Sequence, residues 1–276
     1  MPELPEVETV VRYLNKNILN KEIVEIIIHK EKIIKNIDKN GFINFLINEK
    51  ILKVERKAKY IIFVFSNNKN MISHLRMEGK FFVEKNDSEL IKNKHSHILF
   101  KFKDGEYLIY NDTRIFGTMN IYSKEEMINN KELIRVGYEP FDENCNVDYL
   151  FQIFKKSNRK IKTILLDQGI ISGIGNIYAD EILFQAKILP FREAKSLNKN
   201  DIDNILSASI EILNKSILNK GTTIHSFKSN SLETGNYQQF LKVHTKKDEE
   251  CLICKDKIIK IKVNNRGTYY CKTCQN

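Results

Sequence analysis

Cys251-Leu252-Ile253-Cys254 and, sixteen residues later, Cys271-Lys272-Thr273-Cys274 give the spacing of a tetrahedral four-thiolate zinc site. A zinc ion with all four positions filled by cysteine has no place for a substrate. The expected cofactor, one Zn2+, is therefore structural and stiffens a hairpin. Between the pairs, Asn264, Asn265, Arg266 and Gly267 read as a turn with Arg266 at its tip, either solvated or set out for phosphate contact. Disulfide pairing is the competing use of such cysteines and belongs to secreted chains. The fifth cysteine, Cys145, lies far from the knuckle and reads as an inert packed thiol.

Working outward, the 276 residues exceed the usual span of one core, so more than one domain is expected. A formal charge of +10 favours polyanions, nucleic acid before acidic membrane. No apolar run reaches the roughly 18 residues of a membrane span, and no charged-then-apolar leader is seen, so a cytoplasmic chain is expected. Leu4, Val7, Val11, Leu14 and Ile18 recur at helical steps and predict an amphipathic N-terminal helix. From about Lys21 to Tyr122 short apolar runs follow, at Val24–Ile28, Phe42–Ile47, Tyr60–Phe65, Ile98–Phe102 and Tyr107–Tyr110. Breaks at Lys39-Asn40-Gly41, Asn67-Asn68 and Asp104-Gly105 separate them and predict an antiparallel sandwich or barrel. Residues 124–146 read as a polar connector. Helical spacing returns at Val147–Phe154, Ile161–Gln168, Ile177–Ala186 and Ile202–Ile217, with Gly173-Ile174-Gly175-Asn176 opening the third of these. The fold class is α+β multidomain: an N-terminal antiparallel β-sandwich with an N-terminal helix (1–135), a helix-two-turns-helix domain (136–240) and a zinc-binding β-hairpin (241–276).

Several residues are candidates for chemistry. If maturation removes Met1, Pro2 presents a secondary amine with a pKa of about 8, a nucleophile able to form an iminium. Taken alone, Pro2 is equally a first-turn helix residue. Glu3 and Glu6 lie three apart and can face one site. Glycines at a helix start admit phosphate oxygens, although two glycines alone are only a turn. His74, Arg76 and Met77 follow a short strand, and His95 and His97 would share a strand face. Asp112, Arg114, Phe116 and Gly117 join a charge, a ring and a flexible joint, as a side chain entering a base stack requires. A buried Phe116 and a solvated Lys59 are the plain alternatives.

Pro2-Glu3-Leu4-Pro5-Glu6-Val7-Glu8-Thr9-Val10, Ala58-Lys59-Tyr60, His74-Leu75-Arg76-Met77-Glu78-Gly79, Asp112-x-Arg114-x-Phe116-Gly117, Gly173-Ile174-Gly175-Asn176 and the cysteine knuckle occur in one order. Together they resemble bacterial formamidopyrimidine-DNA glycosylase along the whole chain. The resemblance implies a bifunctional repair enzyme acting as a monomer on double-stranded DNA that contains an oxidised base. It implies Pro2 as nucleophile at the sugar C1′, Glu3 as the acid at the opening sugar, Lys59 as helper in β-elimination and Arg266 as phosphate contact for δ-elimination. His74, Met77, His95, Arg114, Phe116, Arg159 and Asn176 would contact DNA, with Met77, Arg114 and Phe116 filling the gap left by the extruded lesion. Zinc would sit on Cys251, Cys254, Cys271 and Cys274.

The chain departs from the family pattern at Thr113 and Ile115, where proline and a second arginine are common, and at Ser96, where aspartate is usual. Residues 228–237 match the family's capping loop over the lesion base, a segment of variable sequence. Two rivals stand: an endonuclease VIII-like glycosylase for oxidised pyrimidines, and a zinc-ribbon nucleic-acid-binding protein without catalysis. The second leaves the Pro2-Glu3 pair and Lys59 without a use.

Overall fold

A computed structural model of the chain describes residues 1–222 and 235–276. The backbone divides into two compact units, residues 1–133 with 220–236 and residues 134–219 with 237–276.

In the first unit, helix α1 (Leu4–Ile18) starts at Glu3, which forms a reciprocal capping box with Glu6, and Pro5 occupies its first turn. Its stripe of Val7, Val10, Val11, Leu14 and Ile18 enters the core. Strand β1 (Ile23–Ile28) and helix α2 (Lys39–Leu46) follow. The strands are then β2 (Ile51–Lys57), β3 (Tyr60–Phe65), β4 (Lys69–His74), β5 (Lys80–Glu84), β6 (Ser96–Phe102), β7 (Tyr107–Asn111) and β8 (Thr118–Ser123). They form two antiparallel four-stranded sheets, ordered β1-β6-β7-β5 and β2-β3-β4-β8. Phe81, Phe100, Phe102 and Leu108 from one sheet share a core with Val54, Phe63, Phe65 and Met71 from the other, which makes the unit a sandwich.

The run Phe42–Ile47 is helical up to Leu46, with Ile47 as the extended cap, against the strand expected from its sequence. Asp38 caps α2 by accepting from the Gly41 amide at 2.7 Å, so Lys39-Asn40-Gly41 is a helix start and not a turn between strands. Phe42 and Leu46, four apart, are the two residues it buries. The connector also holds structure: α3 (Lys124–Ile128), with a Ser123–Glu126 capping box, and α4 (Lys131–Ile134).

The second unit contains α5 (Val147–Phe154), α6 (Ile161–Leu165), α7 (Asn176–Gln185), α8 (Lys199–Leu218) and the hairpin β9 (Ile259–Val263) with β10 (Arg266–Tyr270). Between α6 and α7 the chain makes a tight double turn braced by one side chain. Gln168 donates to the Ile174 carbonyl at 2.9 Å and accepts from the Gly173 amide at 3.0 Å. Gly173 sits at φ +90, where a side chain would be strained. Helix α7 is buried from Tyr178 to Phe184, so it forms the centre of this unit.

Candidate DNA-processing site and zinc centre

In the first unit the chain start is buried at Pro2 and Glu3. Glu6, itself buried, is the hub there. One of its carboxylate oxygens accepts from the Glu3 amide at 2.8 Å, and the other accepts from the Thr222 amide at 2.7 Å and its hydroxyl at 3.1 Å. Gly221, at φ +77, lies so close that a Cβ there would stand 2.6 Å from the same Glu6 oxygen. One carboxylate thus ties the residue next to Pro2 to the stem of the segment that follows residue 222. Residues 228–234 of the expected capping loop lie outside the described residues, which take it up again at residue 235.

Lys59 is buried, the second residue of a two-residue hairpin between β2 and β3. Ala58 precedes it at φ 52, a left-handed conformation costly for a residue with a Cβ. Arg56 braces this turn against α1, donating to Glu8 at 2.8 Å and to the Ala58 carbonyl at 3.2 Å. Burial pushes the Glu8 carboxyl up, but hydrogen bonds from Arg56 and Arg12 prevail and hold it below its ordinary range. The strained lysine turn is thereby pinned to the helix that begins beside Pro2.

His74, the last residue of β4, is buried, and its Nδ1 accepts from the Arg76 amide at 2.9 Å. Burial first, then the charges of Arg76 and Lys59, hold its imidazole down to about 3. At neutral pH it is an uncharged ring whose Nε2–H is the donor. Just beyond, Met77 is exposed, as is Phe116, over whose ring the Arg114 guanidinium lies at 4.6 Å. Exposed apolar side chains beside a cation are what a duplex-entering wedge requires, and the buried alternative for Phe116 is set aside. Ile115, one of the departures, packs its side chain against the sandwich core and takes φ 55. His95 lies in the turn before β6, which begins at Ser96, so the expected shared strand face does not apply to it; His97, within the strand, is buried with its Nε2 2.8 Å from the Asp112 carbonyl. Burial pushes the His97 imidazole down. His95 stays partly exposed, and Ser96 is buried with its hydroxyl accepting from Asn111 at 3.2 Å.

In the second unit, Asn264 and Asn265 at φ 46 and 61 make a two-residue turn of the primed kind. Arg266 therefore stands beside the tip, as the first residue of β10, opposite Val263 and exposed. Its neighbour Gly267 has a carbonyl that accepts from Lys162 at 2.9 Å and Asn176 at 3.1 Å. Lys162, a charged residue of the short helix α6, carries no local sequence sign of a role. It is fully buried, donating also to Asp180 at 2.7 Å and Thr268 at 2.9 Å, while Asp180 meets His244 at 2.8 Å. Arg159 and Arg266 line one pocket of about 220 Å³ with Lys162, Thr163, Asp167 and Asn264. Within it Arg159 pairs with Asp167 at 2.7 Å.

The four knuckle sulfurs all lie within 4.8 Å of one another, Cys254 and Cys271 at 3.4 Å and Cys251 and Cys274 at 3.8 Å. A tetrahedron with Zn–S of about 2.3 Å has edges of about 3.8 Å. The donor set therefore fits one zinc ion.

Family models match along the chain: the formamidopyrimidine-DNA glycosylase N-terminal domain at residues 1–119, the formamidopyrimidine-DNA glycosylase H2TH domain at 136–228, and the zinc finger found in FPG and IleRS at 248–276. Formamidopyrimidine-DNA glycosylases of Ureaplasma parvum and Mycoplasma genitalium are 50% and 45% identical to it, each over 100% of this chain and over 100% and 96% of their own. The solved Lactococcus lactis Fpg in complex with abasic-site DNA superposes with TM-score 0.93 at 37% identity, covering 99% of both chains. A mutant of that Lactococcus lactis protein with Fapy-dG DNA gives 0.94 at 37% identity over 100% of both. The chain belongs to the formamidopyrimidine-DNA glycosylase family.

Proposed function

We propose that this chain is a bifunctional DNA glycosylase and abasic-site lyase of base excision repair, which removes 8-oxoguanine and formamidopyrimidines from duplex DNA. The observation that carries the reading is the chain start: a proline followed directly by a buried glutamate whose amide is held by a second buried carboxylate. Full-length similarity to named glycosylases, and to an Fpg bound to abasic-site and Fapy-dG DNA, supports it.

After loss of Met1, the Pro2 nitrogen attacks C1′ of the extruded nucleotide, the C1′–N bond to the base breaks, and Glu3 supplies the proton that opens the sugar ring. The resulting iminium makes the C2′ proton acidic. Its removal expels the 3′ phosphate in β-elimination, assisted by Lys59, and Arg266 serves the second, δ-elimination that expels the 5′ phosphate. Hydrolysis of the imine frees Pro2. Met77, Arg114 and Phe116 occupy the vacated stack and offset an unstacking cost of a few kcal/mol. His74, His95, Arg159 and Asn176 contact the DNA backbone. Zinc on Cys251, Cys254, Cys271 and Cys274 holds the hairpin that presents Arg266. The division into a catalytic sandwich (1–135), a helix-two-turns-helix domain (136–240) and a zinc hairpin (241–276) belongs to the same reading, as does a cytoplasmic, nucleoid-associated location.

A second reading, preference for oxidised pyrimidines, is favoured by one finding: the Lactococcus lactis Fpg was also solved with DNA containing an oxidised pyrimidine, at 36% identity to this chain. Parallel excision from duplexes carrying 8-oxoguanine opposite cytosine or thymine glycol separates the two. Faster release of 8-oxoguanine is expected, and a clear preference for thymine glycol would reverse the assignment.

A further inference from the structure

The Met77 turn and the Arg114–Phe116 loop leave different sheets, yet they meet on a single buried atom. Tyr110, in β7, is fully buried, its ring against Phe81 at 5.1 Å. Its hydroxyl lies in a slot between the two loops. A Cβ built on Gly79, at the end of the Met77 turn, would stand 2.3 Å from that hydroxyl, and one built on Gly117, at the end of the wedge loop, only 1.6 Å. Both glycines are therefore required by the same oxygen. The turn from Leu75 to Gly79 closes on itself through the Gly79 amide and the Leu75 carbonyl at 3.0 Å, so displacing Gly79 displaces Met77.

Asp112 completes the joint. It is fully buried, and its carboxylate accepts from the Arg114 amide at 3.0 Å, the Phe116 amide at 2.9 Å, the Gly117 amide at 2.8 Å and the Tyr110 hydroxyl at 3.3 Å. Burial, and next the Asp112 charge, push the Tyr110 phenol well above its usual range, so it keeps the proton it donates.

We propose that Tyr110 is a positioning residue that locks the Met77 turn and the Arg114–Phe116 loop into one preassembled wedge, so that three side chains enter the base stack as a unit. The proposal rests on the reading of Met77, Arg114 and Phe116 as the wedge. Preassembly matters because two loops ordered separately during insertion would each lose conformational freedom at that step, whereas a joined wedge has lost it already.

Tyr110→Phe keeps the ring and its packing and removes only the oxygen in the slot. Single-turnover excision of 8-oxoguanine from a duplex should fall about ten-fold, while cleavage of a preformed abasic site, which has no base to unstack, should stay within two-fold. Gly117→Ala should impair excision from the other side of the slot. In the Tyr110→Phe background its effect should shrink, because the nearest ring atom, Cζ, stands 2.8 Å from the new Cβ where the hydroxyl stood 1.6 Å away. Equal loss of both activities in Tyr110→Phe, unchanged excision, or additive effects of the two substitutions would each overturn the proposal. Met77→Ala and Phe116→Ala serve as controls on the underlying reading. If they leave duplex excision intact, the wedge assignment itself fails; if they lower it while Tyr110→Phe does not, only the joint is refuted.

Discussion

Replacing Lys162 with methionine tests how the hairpin that carries Arg266 is held. The ammonium is fully buried and donates to Asp180, to the Gly267 carbonyl and to the Thr268 hydroxyl. Methionine fills much of the same volume but leaves Asp180 a buried carboxylate with its cation gone. Breaking a buried pair from one side costs about 3–5 kcal/mol. Asp180 keeps the His244 ring at 2.8 Å, and Gly267 keeps Asn176 at 3.1 Å, so the lower end, about 3 kcal/mol, is expected here. At about 1.4 kcal/mol per decade, amides of β10 that exchange through opening of this unit should do so roughly 150-fold faster. The chain has no tryptophan, so hydrogen exchange read by mass spectrometry over residues 259–270 of the zinc-loaded protein is the suitable assay. Lys162→Met with Asp180→Leu removes both charges and should be less destabilised than Lys162→Met alone. Exchange within three-fold of the parent in Lys162→Met, or a double variant worse than the single one, would refute the argument.

Other outcomes follow from the same geometry. Cys254→Ser should lose its zinc by elemental analysis and leave the β9–β10 amides unprotected, and full retention of zinc would contradict the four-thiolate site. Arg266→Ala should weaken duplex binding, with the slope of log affinity against log salt shallower by about one; an unchanged slope would remove Arg266 from phosphate contact. His74 is neutral in the folded chain down to about 3, against an ordinary value of 6.5, so the unfolded chain binds the extra proton between those limits. Its contribution is complete above pH 6.5 and declines as pH falls towards 3. His74→Gln should flatten the acid side of the urea-stability profile by up to about 1.4 kcal/mol per pH unit, and parallel profiles would refute the assignment.

The features legible in the sequence were those encoded by local spacing. The cysteine pairs gave the zinc centre, the stripe from Leu4 to Ile18 gave α1, and Gly173 to Asn176 marked the start of α7. What escaped depends on partners far along the chain or on a local cap that outranks apolar texture. Phe42–Ile47 has the composition of a strand, and Asp38 makes it a helix. Lys162 gives no local sign of burial because Asp180 and Thr268, which neutralise and bond it, are 18 and 106 residues away. Glu6 faces Thr222 across 216 residues, so its role as a hub could not be read from α1 alone. His97 alternates with His95 on paper, but His95 stands in the turn before β6 begins at Ser96, so strand alternation does not fix its side.

The proposed chemistry depends most on a covalent link between the Pro2 nitrogen and deoxyribose. Protein shown by intact mass to lack Met1 should be incubated with a duplex carrying 8-oxoguanine, reduced with borohydride and digested, and the modified peptide sequenced. The expected result is a stable protein–DNA adduct carried on the nitrogen of Pro2. An adduct mapped to Lys59 or any other amine, or full turnover by protein that still carries Met1, would contradict it.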